Sequence, residues 1–244
     1  MTTRIFCPGE LSVGATIALE MDAAKHVRRV LRLTEGDTLT VFNGDGCDYT
    51  AVIASIARDD VRVRVRSGNV VNTESPLSIT LIQGICRAQR MDWLVQKSTE
   101  LGVTQILPAL CERSVVKLDK KRSQSKREHW RKVAESACEQ CGRARVPHIG
   151  DPTRLPALMD EAAASADTKL LLDPDGDRTI AGAFDGTAAL IMLVGPEGGL
   201  TQDERRFATE AGFLGIRLGR RTLRTETAPI AALSVIQHLA GDLC

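Results

Sequence analysis

The chain has 244 residues, 43% of them hydrophobic and 26% charged, which is enough to bury the cores of two ordinary soluble domains. Aromatic residues make up only 3%, so stacking of bases on aromatic side chains is excluded as the main mode of nucleic-acid binding. The formal net charge of +1 excludes a polycation, and any attraction for phosphate must come from local clusters.

The first 72 residues read mostly as β structure. Residues 22–33 carry a short helical pattern containing Lys25, His26, Arg28, Arg29 and Arg32, the first basic cluster. Residues 38–42 and 49–56 are β-prone and are joined through Asn43-Gly44-Asp45-Gly46, a strong hairpin signal. Val61, Val63 and Val65 alternate with Arg62, Arg64 and Arg66, which predicts a strand with one apolar and one basic face. Residues 69–76 read as a linker. The expected organisation is a small barrel-like β domain over 1–72 and a second domain over 73–244.

From residue 77 onwards strands alternate with helices. Strands are expected over 77–85, 103–110, 169–172, 188–194 and 215–218. Helices are expected over 89–101, 123–141, 202–211 and 228–240, and the helix over 123–141 should bury Trp130, Val133, Ala134, Ala137 and Cys138. This alternation predicts a mostly parallel sheet with helices on both faces. Nine Lys or Arg against two acids between Arg113 and Lys132 form a second basic cluster. Cys138 and Cys141 match a CxxC pattern but close a helix and lack a second ligand pair, so they read as structural thiols. Seven cysteines without a secretory segment point to the reducing cytoplasm. The apolar run 188–194 is far shorter than the ~20 residues that span a bilayer, so no membrane partner is expected.

Ligands of open α/β sheets sit at the carboxyl ends of the strands, and two such ends carry unusual loops. Val194-Gly195-Pro196-Glu197-Gly198-Gly199-Leu200 follows an apolar strand, and its glycines let backbone approach a ligand. Thr201 and Glu204 then form a capping-box pattern that starts the next helix, near which Glu197 is also placed to act as a cap. The second loop runs from Leu218-Gly219 through Leu223, Arg224, Thr225 and Glu226 to Thr227-Ala228. Dinucleotide and P-loop fingerprints are absent, no His/Cys/carboxylate cluster has metal-ligand spacing, and no nucleophile elbow occurs. The residues alone give an α/β enzyme or binder with a glycine-rich ligand loop, and no metal.

In these loops the sequence resembles the SPOUT methyltransferases, specifically the family that methylates N3 of a uridine in 16S ribosomal RNA. His26-x-x-x-Val30-Leu31-Arg32, the run Gln96 to Val103 with Ile106 and Pro108, the segment Glu135 to Pro147 with Glu139-Gln140 and Arg143, the Gly195-Pro196-Glu197-Gly198-Gly199 loop and the Leu218 to Ala228 loop resemble that family's motifs in order. The resemblance implies a trefoil-knotted α/β domain behind a PUA-like β barrel that grips RNA, working as a homodimer on 16S rRNA within the small ribosomal subunit. It implies S-adenosylmethionine as cofactor, held by Leu172, Val194, Gly195, Pro196, Glu197, Gly199, Leu218, Gly219, Leu223, Thr227 and Ala228. Arg224 is the expected stabiliser of charge on the uracil carbonyls, and Glu226 is expected either to take the N3 proton or to orient Arg224. RNA contacts are expected from His26, Arg28, Arg29, Arg32, Arg62, Arg64, Arg113, Lys117 and Arg143. Two other readings stay open: a SPOUT enzyme that methylates a ribose 2′-oxygen or a tRNA base, and a non-catalytic RNA-binding or assembly factor.

Overall fold

Val61, Val63 and Val65 are buried and Arg62, Arg64 and Arg66 are exposed, as a strand with side chains on alternate faces requires. The computed structural model describes residues 3–57, 60–115, 119–165 and 168–243. These form two compact units, residues 1–74 with 135–146 and residues 75–134 with 147–244.

The first unit contains β1 (Arg4–Phe6), β2 (Thr16–Ala18), α1 (Met21–Lys25), β3 (Thr38–Phe42), β4 (Cys47–Ile56) and β5 (Val61–Val70). Its sheet has the order β1-β3-β4-β5-β2. The β1–β3 pair is parallel, and the others are antiparallel. Leu39, Val41, Ala51, Ile53, Val61, Val63 and Val65 from three neighbouring strands close its core with Val27 and Leu19.

Two expectations are corrected in this unit. The linker expected over 69–76 begins later, because Asn69 and Val70 pair with Asp48 and Cys47 and extend β5. The helix expected over 22–33 is one α turn, Met21–Lys25, followed by a π turn, His26–Val30. Leu31 N–H reaches back to His26 O at 3.0 Å and Leu33 N–H to Val27 O at 3.1 Å. The chain therefore unwinds while Val27 stays fully buried, and Arg32 ends in the left-handed region at φ 54°.

The segment 135–146 completes the first unit. Glu139 Oε1 accepts from Phe6 N–H at 2.9 Å, Arg4 donates to Arg143 O at 2.9 Å and Thr73 donates to Gly142 O at 3.1 Å.

The second unit contains β6 (Ser78–Gly84), α2 (Ala88–Glu100), β7 (Gln105–Leu110), most of α3 (Lys120–Cys141), β8 (His148–Ile149), β9 (Thr153–Arg154), α4 (Leu155–Ala163), β10 (Thr168–Leu172), α5 (Ile180–Ala183), β11 (Ala189–Val194), α6 (Gln202–Glu210), β12 (Leu214–Ile216) and α7 (Thr227–Ala240). Every pairing in its sheet is parallel, in the order β12-β10-β11-β6-β7-β8, with β9 also on β7. Leu190 to Val194 are all buried, as expected of a central strand covered on both faces. Ile191 and Leu193 pack with Leu155, Leu158 and Met159 of α4 and Ala208 of α6.

The last strand stops at Ile216, short of the expected 218, so Arg217 and Leu218 already belong to the following loop. Helix α3 buries Trp130, Ala134, Ala137 and Cys138, whereas Val133 is only half-buried. Cys138 and Cys141 lie within that helix, and burial pushes the Cys138 thiol up to about 12. Helix α4 is an addition to the expected elements, although Leu155, Leu158, Met159 and Ala162 form its buried face at helical spacing. Among the described residues, no helix is long and apolar enough to cross a membrane.

Candidate active site

The register of the second sheet lines up four strand ends. Ile216 pairs with Leu172, Leu172 with Val194 and Val194 with Gln83, so β12, β10, β11 and β6 release their chains at one level. The path from β11 to β12 passes over β10, and open α/β sheets hold ligands beside such a change of order.

Buried hydrogen bonds fix the two loops that leave this edge. Gln83 is fully buried, and its amide donates to Gly84 O at 2.9 Å and to Thr225 Oγ1 at 3.1 Å. Thr225 Oγ1 in turn donates to Gly195 O at 2.6 Å. The loop after β11 and the loop before α7 are thereby joined through the end of β6. A Cβ on Gly84 would lie 2.4 Å from Pro196 N, so only glycine permits this approach.

Between the loops lies a cavity of about 670 Å³, within the second unit. Of the residues expected to hold a cofactor, Leu172, Val194, Gly195, Pro196, Glu197, Gly199, Leu218, Gly219, Leu223 and Ala228 line it. Thr227 is the exception; it opens α7 outside the lining. Apolar walls come from Leu171, Leu200 and Ile216 as well. Gly219 adopts φ 74°, which turns the chain without a side chain and leaves backbone facing the space.

Arg224 lines the cavity and is exposed. Glu226 lies outside the lining, at the N-terminal cap of α7. The contact by which Glu226 would orient Arg224 is not formed: Glu226 Oε1 faces Arg90 Nε at 3.6 Å, and among the described residues Arg224 makes no ion pair. Arg224 O accepts from Thr227 N–H and Ala228 N–H, and α7 begins directly after Glu226. Glu197 does not cap α6; Thr201 and Glu204 do, in a capping box. Glu197 Oε1 instead accepts from Arg87 N–H at 3.0 Å, the N-cap of α2, and lies 3.4 Å from Arg90 Nη1. Cys86 beside them is pushed up to about 12, first by burial and then by the Glu197 and Glu226 carboxylates.

Sequence reasoning missed Arg90, Asp173 and Arg205, which also line the cavity. Arg205 pairs with Asp173 at 3.1 Å. Asp173 had a signal, as the residue directly after Leu172 at a strand end. Arg90 had a weaker one: α2 follows β6 closely, so its first turn borders the same sheet edge.

The expected RNA-contacting residues divide by burial. In the first unit His26, Arg29, Arg32, Arg62 and Arg64 are exposed and Arg28 is half-buried. In the second, Arg113 is exposed and donates to Gly198 O at 3.4 Å. Lys117 lies outside the described residues. Arg143 is corrected: it is only 4% exposed, and its guanidinium holds Glu74 through Nε at 3.0 Å and Nη2 at 2.7 Å. A buried, paired guanidinium of this kind serves the fold of the first unit.

A family model described as an RNA methyltransferase domain matches residues 73–237, and one described as an RNA methyltransferase PUA domain matches residues 19–66. The ribosomal RNA small subunit methyltransferase E of Bacillus subtilis is 32% identical, over 96% of this chain and 95% of its own length. The Mycobacterium tuberculosis protein of the same name is 31% identical, over 93% and 88%. Among solved structures, a Legionella pneumophila methyltransferase in complex with the bound cofactor SAM superposes with a TM-score of 0.95 at 41% identity, covering 100% of both chains. The Neisseria gonorrhoeae ribosomal RNA small subunit methyltransferase E bound to S-adenosyl methionine gives 0.94 at 37%, again covering 100% of both.

Proposed function

The chain belongs to the RNA methyltransferase family, and on that premise we propose that it transfers a methyl group from S-adenosylmethionine to N3 of a uridine in 16S rRNA of the small ribosomal subunit. The observation that carries this reading is the cavity at the aligned strand ends, with the exposed Arg224 in its lining. The residues present fit the cofactor. The volume lies within the ~300–1,000 Å³ of small-molecule sites, leucine and valine side chains supply apolar walls, and glycine-rich backbone supplies donors and acceptors suited to an adenine edge. Leu172, the 194–199 loop and Leu218, Gly219 and Leu223 would hold it. When bound, S-adenosylmethionine supplies a methyl group already activated by its sulfonium, so the chemistry asks for no metal.

The residues of the chain then have two tasks. Uracil N3 is an imide nitrogen that keeps its proton at neutral pH, and negative charge spreads onto the flanking carbonyl oxygens as that proton leaves. Arg224, exposed and without a carboxylate partner among the described residues, stabilises that charge. Glu226, two residues on, is the proposed acceptor of the proton; among the described residues its Oε2 has no hydrogen-bond partner. Alignment of N3 with the methyl group supplies the rest of the barrier reduction.

The exposed His26, Arg29, Arg32, Arg62 and Arg64, with Arg28, hold the RNA backbone through the first unit, and Arg113 contributes from the second. Such contacts fix position without reading sequence. The reaction is cytoplasmic and the working form is a homodimer. The test incubates the protein with methyl-labelled S-adenosylmethionine and small subunits from cells that lack the activity, and digests the RNA to nucleosides. Label in 3-methyluridine supports the reading. Label in another nucleoside overturns the target, and no label without cofactor binding overturns the enzyme.

A further inference from the structure

The loop before α7 leaves β12, where Arg217 N–H donates to Arg178 O at 2.9 Å, and ends on α7. Among the described residues, 219–223 make no backbone hydrogen bond to another backbone group. At its C-terminal end the loop is tied down by the Thr225 hydrogen bond to Gly195 and by the contact of Glu226 with Arg90. Arg90 stands in the first turn of α2, lines the cavity, and is about one-third exposed. Its guanidinium reaches Glu197 Oε1 at 3.4 Å with Nη1 and Glu226 Oε1 at 3.6 Å with Nε. Both carboxylates are largely buried, at 17% and 15% side-chain exposure, and among the described residues both keep Oε2 buried without a hydrogen-bond partner. One positive charge thus serves two buried negative ones.

We propose that Arg90 is a positioning residue that ties the loop after β11 to the start of α7 through Glu197 and Glu226, and so sets the place of Arg224 and Glu226 for methyl transfer. The proposal rests on the reading that these loops hold the cofactor and the reacting uridine. Arginine suits the post because its planar fork presents separate N–H groups to two partners, which a lysine ammonium does at one point only. The bridge is unequal. Glu197 also accepts from Arg87 N–H, so it keeps a partner when Arg90 is removed. For Glu226, Arg90 is the partner found among the described residues. Loss of Arg90 therefore falls mainly on Glu226 and the loop that carries Arg224, and less on the cofactor loop.

The test compares wild type, Arg90→Ala and Arg90→Lys by calorimetric S-adenosylmethionine affinity and by total label transferred to small subunits, whichever nucleoside receives it. Arg90→Ala should lower kcat by about tenfold to a hundredfold, as an ångström-scale misplacement of reacting groups does. Cofactor Kd should rise no more than about threefold, since Glu197 stays anchored. Arg90→Lys should lie between Arg90→Ala and wild type, and methylguanidinium, entering from the cavity, should restore part of the Arg90→Ala turnover. Wild-type kcat in Arg90→Ala overturns the proposal. Equal loss of affinity and turnover with no recovery by methylguanidinium also overturns it. A thermal double-mutant cycle of Arg90→Ala with Glu226→Gln needs no RNA and separates the two readings. Coupled melting shifts support the bridge even if the methylated atom is misassigned, and additive shifts overturn it.

Discussion

Two sets of arginines in this chain look alike in sequence and differ in use. On β5, Arg62, Arg64 and Arg66 project from a strand whose other face is buried; Arg62 pairs with nearby Asp60, at 2.9 Å, and that pair is exposed. Beside the cavity, Arg90 is shared by two largely buried carboxylates. In the first unit Arg143 is enclosed with Glu74. Exposed pairs contribute little to stability and leave a guanidinium ready for phosphate, whereas enclosed pairs fix the positions of chain segments and are costly to break. Counting basic residues along the sequence cannot separate the two sets, because the partner lies far away in the chain.

The largest effect should come from the cavity. Arg224→Ala removes the charge proposed to stabilise the reacting base and should cost about a hundredfold or more in kcat, with calorimetric cofactor affinity close to wild type. Equal loss of affinity would make Arg224 a cofactor or folding residue and would remove it from the functional side of the contrast.

Arg143→Ala should act on stability alone. It removes the guanidinium that faces Glu74, and breaking a buried pair costs ~3–5 kcal/mol; Glu74 keeps the Arg145 N–H at 3.3 Å and 22% exposure, so about 2–3 kcal/mol is expected after screening. Denaturant unfolding measures it. A change below ~0.5 kcal/mol accompanied by weaker RNA binding would return Arg143 to the RNA-contacting set.

Replacement of Arg62, Arg64 and Arg66 by Gln should leave melting nearly unchanged and reduce the slope of log K for RNA against log salt by roughly 2–3, one counterion or slightly less per arginine. An unchanged slope would show that the face of β5 does not meet phosphate.

The smallest effect concerns Glu139, whose carboxyl is raised above its usual range first by burial, against the lowering influence of the Phe6 N–H. A raised folded-state value means stability is fully present below the unfolded value and is lost as pH rises through the folded one. Glu139→Gln keeps an acceptor for Phe6 and should remove this part of the decline as pH rises above the ordinary carboxylate range, seen as a flatter melting temperature against pH. An identical pH profile in the variant would refute the assignment.

Much of the fold was legible because it is local. The Val/Arg alternation of β5, the Asn43-Gly44-Asp45-Gly46 turn, the apolar run of β11 and the Thr201/Glu204 capping box are each written within a few residues and appear where the pattern placed them. The 194–199 loop and Leu218-Gly219 were legible as a candidate site because strand ends and glycines mark them, whereas Leu172 entered through the family resemblance. Arg90 was not, because its partners lie 107 and more residues away. The return of 135–146 to the first unit was not either, since a continuous helical pattern carries no mark of which core its last turns join.

The sequence by itself determined most of the elements, the parallel α/β pattern and the loops that border the cavity, since hydrophobic periodicity and glycine placement act over one turn of chain. Tertiary structure alone decided which charges are enclosed: Arg143 with Glu74, Arg90 between Glu197 and Glu226, and Glu197 on α2 and not α6. The physical reason is that the worth of a charge depends on its solvent exposure and on neighbours within a few ångströms, and both are properties of the folded packing.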